Sequence, residues 1–305
     1  MSFKKIYCFI TNKCNNRCIL CLHSKEMKRS IKEINLNELK QLLSSIDINP
    51  DDLFSVSGGE PTLHSALPSI LKFLKEEYGN LVQLVTNARK LVEDSFLESI
   101  APFIDYISTS LFGMSSKTHD YTTRRRNSFT ETILGLQNAE KFNLKLNLRY
   151  VPTKYNYEEI PELVYFILDN FTNPHIVINA LQIISNAKLN QDKLAIQHSR
   201  IVPLISQAID DADSKKIMIS VHFPICIFDP YYWNHFSTNF KTVFRNSYVI
   251  MKGKTYKIGQ EHQNFQPKAC QDCLFQTRCI MLSMGYVNLF GEGEITPIKQ
   301  AVSLK

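Results

Sequence analysis

The chain has 305 residues, 44% of them hydrophobic and 21% charged, and a net charge of +6. At roughly 150 residues per domain this describes about two globular domains, or one barrel-sized domain with an appendage, and the scarcity of glycine (10) and proline (12) excludes collagen-like and linker-type chains. The longest clean apolar run, Leu163 to Leu168, is far short of the ~18 residues that span a bilayer. The opening MSFKKIYCFI lacks the long apolar region and cleavage site of a signal peptide, so a cytoplasmic protein with no membrane partner is expected.

Strand-like runs rich in Val, Ile, Leu, Phe and Tyr are predicted at 4–10, 53–57, 81–86, 106–111, 145–151 and 176–184. Amphipathic stretches separate them. Leu36, Leu39, Leu42, Leu43 and Ile46 follow the spacing of a helix with one buried face. Segments 67–74, 96–100, 129–142 and 160–168 read the same way, with Asn35 and Ser128 as expected N-caps. Strand alternating with helix through six rounds predicts a parallel sheet in an α/β fold, a partial (β/α)6 TIM-like barrel. No G-x-G-x-x-G follows the first strand, which argues against a dinucleotide-binding half. A further helix at 193–212 and a short strand at 217–221 close this part. From Phe223 aromatic residues become dense, with Phe240 and Phe244 among them. The expected organisation is therefore 1–222 as the barrel and 223–305 as a small C-terminal module.

Six of eight cysteines fall in two groups, Cys14-x3-Cys18-x2-Cys21 and Cys270-x2-Cys273-x5-Cys279. Without a secretion signal, thiols at these spacings point to metal more than to disulfides. His23 can complete a zinc site with the first group, and Cys226 can be the fourth ligand of the second. Cys8 lies in an apolar run and reads as a small buried hydrophobe. Three thiolates hold three irons of a 4Fe–4S cube and leave the fourth open to chelate a small molecule; four thiolates close the cluster. In a (β/α) barrel the loops at the carboxyl ends of the strands carry the chemistry, and the first triplet sits on such a loop.

Cys14-Asn-Asn-Arg-Cys18-Ile-Leu-Cys21 after a first strand, followed by Ser57-Gly58-Gly59-Glu60-Pro61 after the second, resembles the radical S-adenosylmethionine enzymes. The resemblance covers about residues 4–185. It implies that Cys14, Cys18 and Cys21 ligate a 4Fe–4S cluster that binds S-adenosylmethionine. Gly58, Gly59 and Glu60 would receive its methionine amino group, with the glycines allowing close backbone approach. Arg149 would pair with the methionine carboxylate. Ser108 or Ser110 would bond the ribose, and Asn87 would bond there or orient the methionine. Leu20 stands where the family usually has an aromatic residue, and would cover the adenine by dispersion.

The second group, followed by Gly285-Tyr286 and Phe290-Gly291-Glu292-Gly293-Glu294, resembles the SPASM or twitch auxiliary-cluster modules of the same superfamily. That implies an auxiliary 4Fe–4S cluster on Cys226, Cys270, Cys273 and Cys279, with a structural zinc as the alternative. The expected reaction is reductive cleavage of S-adenosylmethionine to a 5′-deoxyadenosyl radical and hydrogen abstraction, with oxidative modification or crosslinking of a ribosomally made peptide as the expected use. An electron donor such as flavodoxin or ferredoxin would be required. A separate leader-peptide recognition protein or a barrel-edge groove is expected, because the first strand begins near residue 4. Radical modification of a small molecule is the main alternative and a non-catalytic metal-binding interaction protein the other. RNA modification has only the +6 charge and Arg124-Arg125-Arg126 in its favour, with no RNA-binding module motif. Tyr150, Tyr155 and His119 read as packing or surface groups more than as proton or radical relays.

Overall fold

The computed structural model describes residues 4–23, 33–172, 174–236, 247–251, 253–257, 264–265, 267–277, 279–280 and 282–300; Phe240 and Phe244 lie outside them. Seven strands run parallel in chain order: β1 (Lys5–Thr11), β2 (Leu53–Gly58), β3 (Leu81–Val85), β4 (Tyr106–Leu111), β5 (Lys145–Tyr150), β6 (His175–Asn179) and β7 (Ile219–His222). Each neighbour in sequence is a neighbour in space, and the sheet stays open. This is the expected partial barrel, with the short strand after 217 added as a seventh stave.

The helices α1 (Leu36–Leu43), α2 (Leu67–Tyr78), α3 (Asp94–Ile100), α4 (Ser116–Thr123), α5 (Ser128–Lys141) and α6 (Leu163–Asn170) return the chain between strands. Two short helices (Ser185–Leu189 and Gln191–Leu194) precede α9 (His198–Ser214). One cluster joins strand residues Ile6, Cys8, Ile10, Phe54, Val56, Val82 and Leu84 to helix residues Leu39, Leu43, Ile70 and Leu74, all fully buried. Period two in the strands and period 3.6 in the helices bring these apolar sets together. Cys8 lies in this layer, and burial pushes its thiol up to about 12, as a small core hydrophobe requires.

Asn35 caps α1 reciprocally: its Oδ1 accepts from Glu38 N at 3.0 Å, and Glu38 Oε2 accepts from Asn35 N at 3.1 Å. At α5 the cap position is Asn127, one residue before the expected Ser128. Ser128 is the first helical residue; its Oγ meets Thr123 Oγ1 at 2.6 Å and Asp120 Oδ1 at 2.8 Å. Strand β6 stops at Asn179, short of the predicted 184; its ladder to β7 ends with Ala180 N donating to His222 O at 3.0 Å.

Beyond residue 222 the chain comes back to the barrel. β8 (Tyr248–Met251) pairs in parallel with β1, and β9 (Lys254–Lys257) pairs antiparallel with β8. A two-stranded sheet of β10 (Asn264–Phe265) and β11 (Leu282–Ser283) leads into α10 (Met284–Phe290). Among the described residues, no helix is long and apolar enough to cross a membrane.

Candidate cluster and nucleoside site

Parallel strands put all their carboxyl ends at one rim, and the loops after β1, β2 and β3 meet there. The β2 exit lies against the β1 exit: Gly59 N donates to Thr11 O at 2.7 Å and Glu60 N to Lys13 O at 2.6 Å. A Cβ on Gly58 would stand 2.3 Å from Thr11 O, and one on Gly59 2.3 Å from Lys13 O. Gly58 also has φ +148°, which a side chain would strain. Both glycines thus have a nearer reason than ligand approach: the chain's own cysteine loop passes over them.

Glu60 is buried to 1% exposure. Its Oε1 accepts from Thr62 N (3.1 Å), Thr62 Oγ1 (2.7 Å) and Thr86 Oγ1 (2.6 Å), and its Oε2 from Asn87 N (2.7 Å). Burial raises its carboxyl above the usual range, and these bonds pull the other way. The carboxylate therefore ties the β2 loop to the β3 loop.

Asn87 lies beside the cysteine loop, with its Nδ2 donating to Asn15 Oδ1 at 2.6 Å. Sequence reasoning passed over Arg89. Its Nη1 donates to Asn15 O at 3.0 Å and Asn16 Oδ1 at 2.9 Å, while its Nε meets Glu131 on α5. The signal was an arginine two residues after the Asn87 turn, visible only once that turn is known to face Asn15-Asn16.

The cysteine loop is held from two further sides. Arg17 N and Ile19 N donate to Thr123 O and Thr122 O, at 2.8 and 2.9 Å, at the end of α4. Asn186 Nδ2 donates to Cys18 O at 2.9 Å and Asn190 Nδ2 to Ile19 O at 3.1 Å. Asn16 N donates to Cys14 Sγ at 3.4 Å, the kind of bond that stabilises a thiolate. Cys14, Cys18 and Cys21 are half-buried. His23 packs on Phe9, ring centroids 5.3 Å apart. Among the described residues, no three His, Cys, Asp or Glu side chains converge as a single metal ion requires. A cube takes each thiolate at a different iron, and three soft donors on one clamped loop fit that cluster.

Leu20 is buried to 8% exposure in one cluster with Ile19, Phe112, Ala187 and Leu194. Phe112, just past β4, is a buried aromatic of that patch, and Tyr121 packs against it. Ser108 Oγ and Asn147 Oδ1 are buried with no partner, side by side in the β4–β5 register. Ser110 pairs in register with Arg149. The Arg149 guanidinium is held below its ordinary value by burial. Three of the remaining candidates are structural. Tyr150 is buried, and its hydroxyl donates to Asn156 O at 2.6 Å. His119 is buried, and its Nδ1 accepts from Phe112 N at 3.3 Å. Tyr155 stacks on Tyr121 at 4.0 Å. In the basic run, Arg124 lies over the Tyr121 ring.

The second cysteine group lies within electrostatic reach of Cys226. Burial pushes the Cys226 thiol up to about 11, and Cys279, Cys270 and Cys273 act on it in the same direction, as close thiols do. The C-terminal segment packs on α9: Tyr286 stacks on His198 at 4.0 Å, accepts from His198 N at 2.9 Å and bonds Glu294, whose Oε1 accepts from Ser199 N at 2.8 Å. A Cβ on Gly285 would stand 2.3 Å from Ile183 O, so the Gly285-Tyr286 pair serves this close packing.

Fe-coproporphyrin III synthase of Methanosarcina barkeri is 24% identical over 66% of this chain and 48% of its own length. PqqA peptide cyclase of Bradyrhizobium diazoefficiens is 24% identical over 52% of this chain and 42% of its own. The chain thus spans less than half of these relatives. Among solved structures, SuiB of Streptococcus suis bound to S-adenosylmethionine superposes with a TM-score of 0.66 at 16% identity, covering 96% of this chain and 76% of that one. The S-adenosylmethionine-bound enzyme anSMEcpe superposes with a TM-score of 0.64 at 12% identity, covering 84% of this chain and 71% of that one. The sequence profile that matches residues 8–167 spans β1 to α6, the elements that carry the cysteine loop, the two glycines and Arg149, and by that match the chain belongs to the Radical SAM superfamily.

Proposed function

We propose that this chain is a radical S-adenosylmethionine enzyme in which Cys14, Cys18 and Cys21 hold a 4Fe–4S cluster with one open iron. The observation that carries this reading is the three-thiolate loop, clamped by α4, Asn186, Asn190 and Arg89 directly above Gly58 and Gly59. When bound, the cluster and S-adenosylmethionine supply the reductive carbon–sulfur cleavage that yields a 5′-deoxyadenosyl radical.

The chain's own groups bind and orient. Carbonyls of the Gly58-Gly59 turn meet the methionine amino group, while Glu60 fixes that turn to β3 rather than offering its own carboxylate. Arg149 meets the methionine carboxylate. The unpartnered Ser108 hydroxyl, with Ser110 and Asn87, is available for the ribose. Leu20 and Phe112 supply apolar surface for the adenine. Cys226, Cys270, Cys273 and Cys279 would hold an auxiliary 4Fe–4S cluster, which would supply an electron acceptor suited to an oxidative outcome. An electron donor such as flavodoxin or ferredoxin feeds the first cluster. The segment 223–305 carries the auxiliary site, and its strands β8 and β9 extend the barrel sheet.

The substrate class follows the neighbours. SuiB also superposes in its form bound to the precursor peptide SuiA, and one relative is named a peptide cyclase; both support oxidative modification or crosslinking of a peptide. Relatives named Fe-coproporphyrin III synthase and GTP 3′,8-cyclase support a second reading, chemistry on a small molecule. The test of the class is anaerobic reconstitution, reduction with dithionite and addition of S-adenosylmethionine. 5′-Deoxyadenosine should form and Cys14→Ala should abolish it; equal yield from Cys14→Ala would overturn the assignment of the reactive cluster.

A further inference from the structure

Alternate residues of the parallel strands turn away from the apolar helix layer and line the inside of the open barrel. This wall mixes apolar and polar side chains, and the charged ones on its strands, Lys5, Lys145 and Arg149, are all cationic. Lys5 and Tyr7 on β1 and His175 on β6 all lie within electrostatic reach of Arg149 on β5. His222, at the end of β7, lies within reach of Arg149, Lys5 and His175. The Lys5 ammonium stands over the Tyr7 ring at 5.2 Å and donates to Gln83 Oε1 at 2.8 Å, a neutral acceptor. Among the described residues, neither Lys5 nor Arg149 pairs with a carboxylate.

Buried cations are stable only when something offsets them. S-adenosylmethionine brings one carboxylate but also an ammonium and a sulfonium. With Arg149 given to that carboxylate, Lys5 still has no counter-charge. The wall also holds the two orphaned oxygens, Ser108 Oγ and Asn147 Oδ1, with Asn147 in register beside His175. Burial and Arg149 lower the Lys5 ammonium to about 7, so a bound anion would restore its charge.

We propose that the substrate enters the barrel by an anionic group, a carboxylate or a phosphate, seated on Lys5 between β1 and the Arg149–His222 side of the wall. The proposal rests on the radical S-adenosylmethionine reading and names the chemical class of its substrate.

The test is isothermal titration of the reconstituted holoenzyme, with S-adenosylmethionine bound, using glutarate, inorganic phosphate and the neutral glutaramide. Glutarate or phosphate should bind at least tenfold more tightly than glutaramide, and Lys5→Met should erase the difference. His222→Phe, on another strand, gives a second variant should Lys5→Met fail to fold, and should weaken the anion by about threefold or more. Tighter glutarate assigns a carboxylate substrate, and tighter phosphate a phosphorylated one. Equal binding of all three probes overturns the proposal. That failure is separate from failure of the radical reading, which would appear as no 5′-deoxyadenosine from the unmodified protein.

Discussion

Arg89 donates to the carbonyl of Asn15 at 3.0 Å, so an arginine on the third-strand loop fixes the middle of the cysteine loop. With its second bond to Asn16 Oδ1 and its ion pair to Glu131, it couples α5 to the loop that presents the thiolates. Charge-assisted bonds of this kind contribute about 1.5–3 kcal/mol each.

Arg89→Ala should therefore loosen the cysteine loop without removing a ligand. Iron retained after desalting should fall, and 5′-deoxyadenosine formation should slow by about tenfold, the scale of one such bond. Arg89→Lys should recover part of both, because an ammonium can keep one of the two contacts. Unchanged iron retention and rate in Arg89→Ala would contradict this role.

Glycine substitutions should divide by position. Gly59→Ala drives a methyl group to 2.3 Å from Lys13 O and 2.6 Å from Asn12 O, both backbone atoms leading into Cys14, so the β1 exit must move. Loss of most 5′-deoxyadenosine formation is expected, with a Tm drop. Gly293→Ala meets nothing within 4 Å and should stay within about 0.5 kcal/mol of the parent in denaturant unfolding.

Glu60→Ala strips the acceptor from two backbone N–H groups and two hydroxyls in a buried place. Each buried donor left unmet costs about 1–3 kcal/mol, so the unfolding free energy should fall by at least about 2 kcal/mol. A change confined to S-adenosylmethionine affinity, with stability intact, would instead assign the carboxylate to the ligand.

Acid should destabilise the fold in a defined window. Burial lowers His119, His198 and His222 from 6.5 to about 4. The unfolded chain then takes up protons first, so stability is full above pH 6.5 and is lost as pH falls toward 4. Lys5 acts higher, because its pKa is lowered from 10.5 to about 7, so its contribution makes stability rise between pH 7 and 10.5. Urea midpoints across pH 4–7 should fall less steeply in His198→Phe, which keeps a ring against Tyr286. An equal slope in the variant would contradict the assignment.

The barrel was legible because each strand's apolar half repeats at period two and each helix's at 3.6. The cysteine loop and Gly58-Gly59 were legible because their chemistry needs those residue types adjacent in sequence. β8 was not, because Tyr248–Met251 is four residues long and gains its place only by pairing with β1. Arg89, Lys5, His175 and His222 were missed for a related reason. Each is an ordinary polar residue in its own segment, and only the curving of seven strands around one space sets them facing each other. Glu60 was placed at the right turn but given to a ligand, since sequence spacing cannot show that Thr62, Thr86 and Asn87 already supply its donors.

Iron and zinc content after anaerobic reconstitution test the central claim most directly. Two 4Fe–4S clusters, one on Cys14, Cys18 and Cys21 and one on Cys226, Cys270, Cys273 and Cys279, predict about eight irons per chain with little zinc, and a fall to about four in Cys226→Ala. Zinc bound with no iron taken up would contradict the radical account and return both cysteine groups to structural sites.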